Sequence, residues 1–208
     1  MADTSASLGQ NLCGRCILSS EVDICNLALQ RLGAKSITAL TDDSTNARAC
    51  NRTYAHARDS ELRSHPWNFA RKRASLAASS TPPAFEYARA FPLPADFLRL
   101  MSNNGRLGMT NQDDLQIEAG NILTNDSAPL PITYIAQITD PEAFDQLFTD
   151  LLVARIARDL AEKITQSNSK IQAAQTLYTE ARSEARRINA FERPPQQAPE
   201  DPWITARN

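Results

Sequence analysis

Cys13 and Cys16 stand as C-G-R-C near the start of a chain that carries four cysteines and two histidines, His56 and His65. Such a pair is half of a zinc site, a redox couple or two unremarkable thiols. The redox form needs a strand-to-helix context that the surrounding serine-rich leader does not offer. Cys25 and Cys50 fall on apolar helix faces, where a free cysteine packs as a small hydrophobe. Two histidines build neither an HExxH nor a three-histidine metal site within one chain. The six glycines form neither a Walker loop nor a dinucleotide fingerprint. The expectation is therefore no cofactor and no metal, which leaves carboxylates or one histidine for any catalysis.

Asp42 with Asp43, and Asp113 with Asp114 near Glu118, are the carboxylate pairs. Glycosidase chemistry needs two carboxyls about 5–10 Å apart across a sugar-sized cleft. Asp42 and Asp43 sit where N-caps belong, and Asp113-Asp114 lies in a Gly/Asn-rich turn where aspartates are favoured locally. His65, beside Asp59 or Ser64, could move a proton, but a histidine closing a helix is already explained by the helix dipole and the exposed carbonyls. Within H-P-W-N-F-A, Pro66 stops that helix, and Trp67 with Phe69 would plug the junction of helices and strands.

The basic run Arg48, Arg52, Arg58, Arg63, Arg71, Lys72 and Arg73 is offset only by Asp59 and Glu61, a local balance of +5. With Tyr54, Trp67 and Phe69 interleaved it could track a phosphate backbone. The alternative is a solvated face paired with acidic groups elsewhere. The whole chain has a net charge of −2, so nothing global draws it to DNA or to an anionic membrane. No run approaches the roughly 18 apolar residues of a membrane span, and Met1 to Gln10 carries no export signal.

These groups must be positioned by elements that the spacing predicts. Residues 1–19 read as a flexible arm. Ser20 and Asp23 resemble a capping box ahead of Val22, Cys25, Leu29 and Leu32, with Gly33 as the stop. A second helix, with Ala47, Cys50, Tyr54 and Ala57 on one face, ends near His65, so that 20–66 reads as an antiparallel hairpin. Prolines and short runs over 67–139 predict a small β insertion, with runs at Phe85–Phe91, Phe97–Met101, Gln116–Thr124 and Ile132–Ile138. Asp140-Pro141-Glu142 restarts a helix. Phe144, Leu151, Leu152, Ile156 and Leu160 make that helix the most buried element. A last helix carries Ile171, Ala174, Tyr178, Ala181, Ala185 and Ile188 at a/d spacing, closing a second hairpin over 140–190. The fold expected is mainly α: an antiparallel bundle of four helices in two hairpins, a small β unit between helices two and three, and extended terminal arms. Residues 191–208 hold four prolines and end near Trp203 and Ile204.

Four stretches together resemble a known family: S-E-V-D-I-C-N-L-A-L-Q-R-L-G (20–33), D-D-S-T-N-A-R-A-C (42–50), Y-A-H-A-R-D-S-E-L-R-S-H-P-W-N-F-A-R-K-R (54–73) and Y-A-R-A-F-P-L-P-A-D-F-L-R (87–99). They are similar to the tail tubular protein A and head-to-tail adaptor proteins of tailed bacteriophages. L-R-x-H-P-W-N-F-A followed by L-P-x-D-x-L-R is the most specific part. The resemblance implies a non-enzymatic virion protein of the neck, assembled in the host cytoplasm as a ring, typically dodecameric. It would dock on the portal, carry a distal nozzle or stopper, and let double-stranded DNA pass without sequence-specific binding and with no membrane partner. On that footing, lateral contacts fall to Arg182, Arg186 and Arg187, and portal anchoring falls to the tail through Phe191, Trp203 and Ile204. Two other classes stay open: a glycan-cleaving virion protein, and a nucleic-acid-binding helical module using the arginine run.

Overall fold

The computed structural model describes residues 20–103, 106–107 and 115–192. Helix α1 spans Glu21–Leu32, with the capping box at Ser20 and Asp23 complete and Gly33 in the left-handed conformation at its end. Helix α2 spans Thr45–Ser64 under a Ser44 N-cap. Its buried face includes Ala47, Cys50, Tyr54, Ala57 and Leu62, at the spacing one side of a helix requires. Asp140 caps only a single 3-10 turn, Pro141–Ala143, because Phe144 turns extended (ψ 144°). Helix α3 starts afresh at Gln146 under Asp145 and runs to Thr165. Gln166 adopts a left-handed conformation that reverses the chain into α4, Asn168–Phe191.

Seven strands lie between α2 and α3. They are β1 (Arg71–Leu76), β2 (Arg89–Pro92), β3 (Phe97–Asn103), β4 (Arg106–Leu107), β5 (Leu115–Glu118), β6 (Asn121–Thr124) and β7 (Leu130–Ala136). Every pairing is antiparallel, giving one sheet in the order β1-β7-β3-β4 and a second in the order β2-β6-β5. Side chains alternate across β7: Ile135 joins the helical core, whereas Ile132, Tyr134 and Ala136 face a second core with Phe91 and Ile122. The larger sheet therefore has helices on one face and the smaller sheet on the other.

This is an α+β fold, which corrects the expected four-helix bundle with one small β unit. Two points of physics account for the difference. First, α1 and α2 pack mainly on α3 rather than on each other, so there is no N-terminal hairpin in the expected sense; α3, apolar on several faces, lies against α1, α2 and α4. Second, the strands bury a core of their own between two sheets. The basic run Arg71-Lys72-Arg73 is itself strand β1, and Phe85 to Ala88 lie outside any strand, with Phe85 74% exposed.

Candidate functional site: a polar seam between three helices

Glu61 sits on the inner face of α2 with 1% of its surface exposed, and three side chains converge on its carboxylate. Arg155 of α3 donates through Nη1 at 2.7 Å and Tyr178 of α4 through its hydroxyl at 2.8 Å, both to Oε1. Ser64, one turn on, donates to Oε2 at 3.3 Å, and Arg186 Nη2 in turn donates to Ser64 Oγ at 3.2 Å. A buried carboxylate survives only when it is paired and hydrogen-bonded in this way.

Arginines crowd the seam. Arg155 Nε and both Nε and Nη2 of Arg158 bind Asp159 at 2.9, 3.0 and 2.6 Å. The Arg158 guanidinium lies 4.3 Å from the centre of the Tyr178 ring, with those of Arg155 and Arg182 at 5.7 and 6.0 Å. Burial opposes the Arg155 charge, but the bonds to Asp159 and Glu61 outweigh it and hold the group above the ordinary arginine value. Arg186 is pushed below that value, first by burial and then by the charge of Arg182. Four guanidiniums against two carboxylates leave the seam net positive.

The junction segment closes one end of it. Trp67 Nε1 donates to the Glu61 carbonyl at 2.9 Å, and its ring packs edge-on against His65 and Phe148, at 4.7 and 5.2 Å between centres. Phe69 and Phe144 complete the aromatic cluster around Phe148. Asn189, near the end of α4, accepts from Asn68 N at 2.9 Å and donates to the Pro66 carbonyl at 3.3 Å. Its amide nitrogen also meets His65 Nε2 at 3.0 Å. His65, Pro66, Trp67 and Phe69 thus join the last turn of α4 to the end of α2 and the start of β1.

The second signature segment touches the first. Arg63 Nη1 donates to the Leu98 carbonyl, and Arg99 Nη1 returns a 3.5 Å bond to the Arg63 carbonyl. Asp96 accepts from Lys72 Nζ at 2.7 Å and from the Tyr134 hydroxyl at 2.9 Å. The Lys72 ammonium accordingly holds the Asp96 carboxyl below the usual carboxylate range. Burial, followed by the bond to Asp96, pushes Tyr134 up to about 12.

Other expected sites fare differently. The basic run is not one surface. Arg48 pairs with Asp43 at 2.8 Å, and Arg52 bonds the Arg48 carbonyl. Arg58 is 6% exposed, bound to Asp59 at 2.8 Å. Arg71, Lys72 and Arg73 follow on a strand of different geometry. Arg182 and Arg186 do not stand on the outer face of α4 with Arg187; at i+4 and i+8 from Tyr178 they share its row, and that spacing is the signal that places them. Asp59 is taken by Arg58 and Gln137, so it does not pair with His65 for proton transfer. Asp42 caps the backbone of Thr38 and Ala39, and Glu118 accepts from Gln116 at 2.6 Å. Cys25 and Cys50 are fully buried free thiols; the Cys50 contact and burial hold the Cys25 thiol protonated well above its ordinary range. Phe191 is the last residue of α4, 76% exposed. Cys13, Cys16, Asp113, Asp114, Trp203 and Ile204 lie outside the described residues.

Sequence reading missed Glu61, Arg155, Arg158, Asp159 and Asn189. The visible cue is Arg155, Arg158 and Asp159 in the middle of a helix that is apolar on several faces, where charges must find partners. Chemically the seam is a clamp: the Glu61 carboxylate is occupied by three donors and has no route to a substrate. No group of His, Cys, Asp and Glu able to hold a metal occurs among the described residues, and no described helix is long and apolar enough to cross a membrane. Comparison with models of known protein families and with curated proteins returns no match.

Proposed function

We propose that this chain is a structural head-to-tail adaptor of a tailed bacteriophage, acting without catalysis as one subunit of a ring between the portal and the distal tail, around the path of the DNA. One observation carries the reading. The two most specific stretches of the resemblance, Leu62–Ala70 and Leu93–Arg99, interlock through Arg63, Leu98 and Arg99, and the first of them also fastens α4 through Asn189. Residues spent on joining elements, rather than on lining a cleft, suit a protein whose task is to hold a shape under load. Burial of Arg58 against Asp59 and the passage of Arg71, Lys72 and Arg73 onto strand β1 shorten the stripe on which the nucleic-acid-binding reading rested.

In this reading the subunit meets its neighbours through two different surfaces, as a closed ring of like subunits requires. The segment from Phe191 through Trp203 and Ile204 anchors it on the portal. Negative-stain imaging of the protein mixed with its portal tests the proposal: rings seated beneath the portal are expected, and portal with no added density would overturn it. Deletion after Phe191 tests the anchor, with loss of docking by a folded protein as the expected result.

A further inference from the structure

Phe85 and Glu86 stand on the rim of an open depression of about 410 Å³ whose facing wall is the β5–β6 hairpin, with Gln116, Glu118 and Leu123. Pro82 and Pro83 stiffen the approach, Glu86 takes a left-handed φ of 68°, and Tyr87 N returns to the Phe85 carbonyl at 2.8 Å. The Phe85 ring is 74% exposed, and Glu86 has no hydrogen bond or ion pair among the described residues. Elsewhere, between the end of α1 and the facing sides of α3 and α4, lies an apolar depression of about 60 Å³, floored by Leu32, Ala157 and Ala173. Leu177, 47% exposed, forms one wall. Its charged lining residues are Arg31 and Lys170, both cationic. It is far below the roughly 300–1,000 Å³ of a site for a small molecule or cofactor, and of a size to take the end of one side chain.

The two features match in shape and in charge: an exposed aromatic beside a free carboxylate, and an apolar hollow rimmed by two cations. They are also two different surfaces of one chain, which is what a head-to-tail contact consists of. We propose that the Phe85–Glu86 loop of one copy of this chain seats in the Leu177 hollow of the next, Phe85 on the apolar floor and Glu86 between Arg31 and Lys170. The inference rests on the ring reading above and names the contact that would build the ring. A single contact of this size is weak, and repetition around a closed ring makes it strong.

Two experiments on the full chain assembled with the portal test it. With p-benzoylphenylalanine at position 85 and a mixture of light and heavy isotope-labelled protein, illumination is expected to yield light–heavy crosslinks to peptides covering residues 31–32 or 154–177; crosslinks confined to other regions, or none, would overturn the contact. Charge exchange guards against a poorly seated photoreactive group. Glu86→Arg is expected to lower the assembled fraction by about tenfold, and Glu86→Arg with Arg31→Glu to recover most of it. If Glu86→Arg assembles like the parent protein, this contact is wrong while the ring stands. If the parent protein itself forms no ring, the ring reading falls and takes the contact with it.

Discussion

At the scale of single residues, Glu61 concentrates the largest electrostatic consequences. Glu61→Ala leaves Arg155 buried with one partner fewer and is expected to destabilise the protein by about 3–5 kcal/mol. Glu61→Gln keeps an acceptor for Tyr178 and should lose less; the midpoint of urea unfolding measures both. Asp96 and Tyr134 make stability depend on pH at the two ends of the scale. The Asp96 carboxyl is depressed in the folded state, so its contribution is present above about pH 4 and lost as pH falls through its lowered value. Tyr134 is raised to about 12, so its contribution is complete below the ordinary tyrosine value near 10 and lost as pH rises toward 12. Unfolding midpoints of parent and Tyr134→Phe, compared from pH 8 to pH 12, should converge at the alkaline end; a constant gap would refute the assignment. Of this chemistry the sequence shows little. Arg182 and Arg186 read as outward-facing because they sit among polar residues, and only their i+4 and i+8 relation to Tyr178 shows that Arg182 lies over its ring and that Arg186 turns toward Ser64.

At the scale of elements, the helices and two of the strands were legible, since the runs at Phe97–Met101 and Ile132–Ile138 fall on β3 and β7, whereas β1 and the division of 116–124 into two strands were not. Ser20, Gly33, Ser44 and Pro66 punctuate periodic apolar faces, and the observed ends of α1 and α2 fall where those signals place them. Strand β1 was hidden because Arg71, Lys72 and Arg73 continue a basic run that began on a helix; none of its residues is fully buried, and there is no strict alternation to reveal it. The stretch 116–124 reads as one run but folds as the β5–β6 hairpin. Its two turn residues, Ala119 and Gly120, both have positive φ, 44° and 77°, as a two-residue turn of this kind demands. Gly120→Ala meets no neighbouring atom within 4 Å, so its penalty is conformational alone, about 1–2 kcal/mol. Ala119→Asn should be neutral or stabilising. Thermal unfolding of the two variants separates these effects, and equal melting temperatures would contradict the turn geometry.

At the scale of the whole molecule, the two cores share β7, whose Ile135 and Tyr134 face opposite ways. Buried Cys25 and Cys50 belong to the helical core, so they should react with a thiol reagent only when that core opens. Their labelling rate, followed by peptide mass mapping across denaturant, should track global unfolding; labelling in native buffer would show that α1 and α2 part from α3 locally. Such partial opening is a real question here because of the order in which the chain is made. Helices α1 and α2 complete their packing only on α3, which ends about 100 residues after α2 does. At synthesis rates of about 5–20 residues per second, their apolar faces wait on the order of 5–20 s for that cover. The protein thus leaves the ribosome with its first two helices uncovered while its sheets are still emerging, and its yield in a cell depends on what shields those faces during the interval.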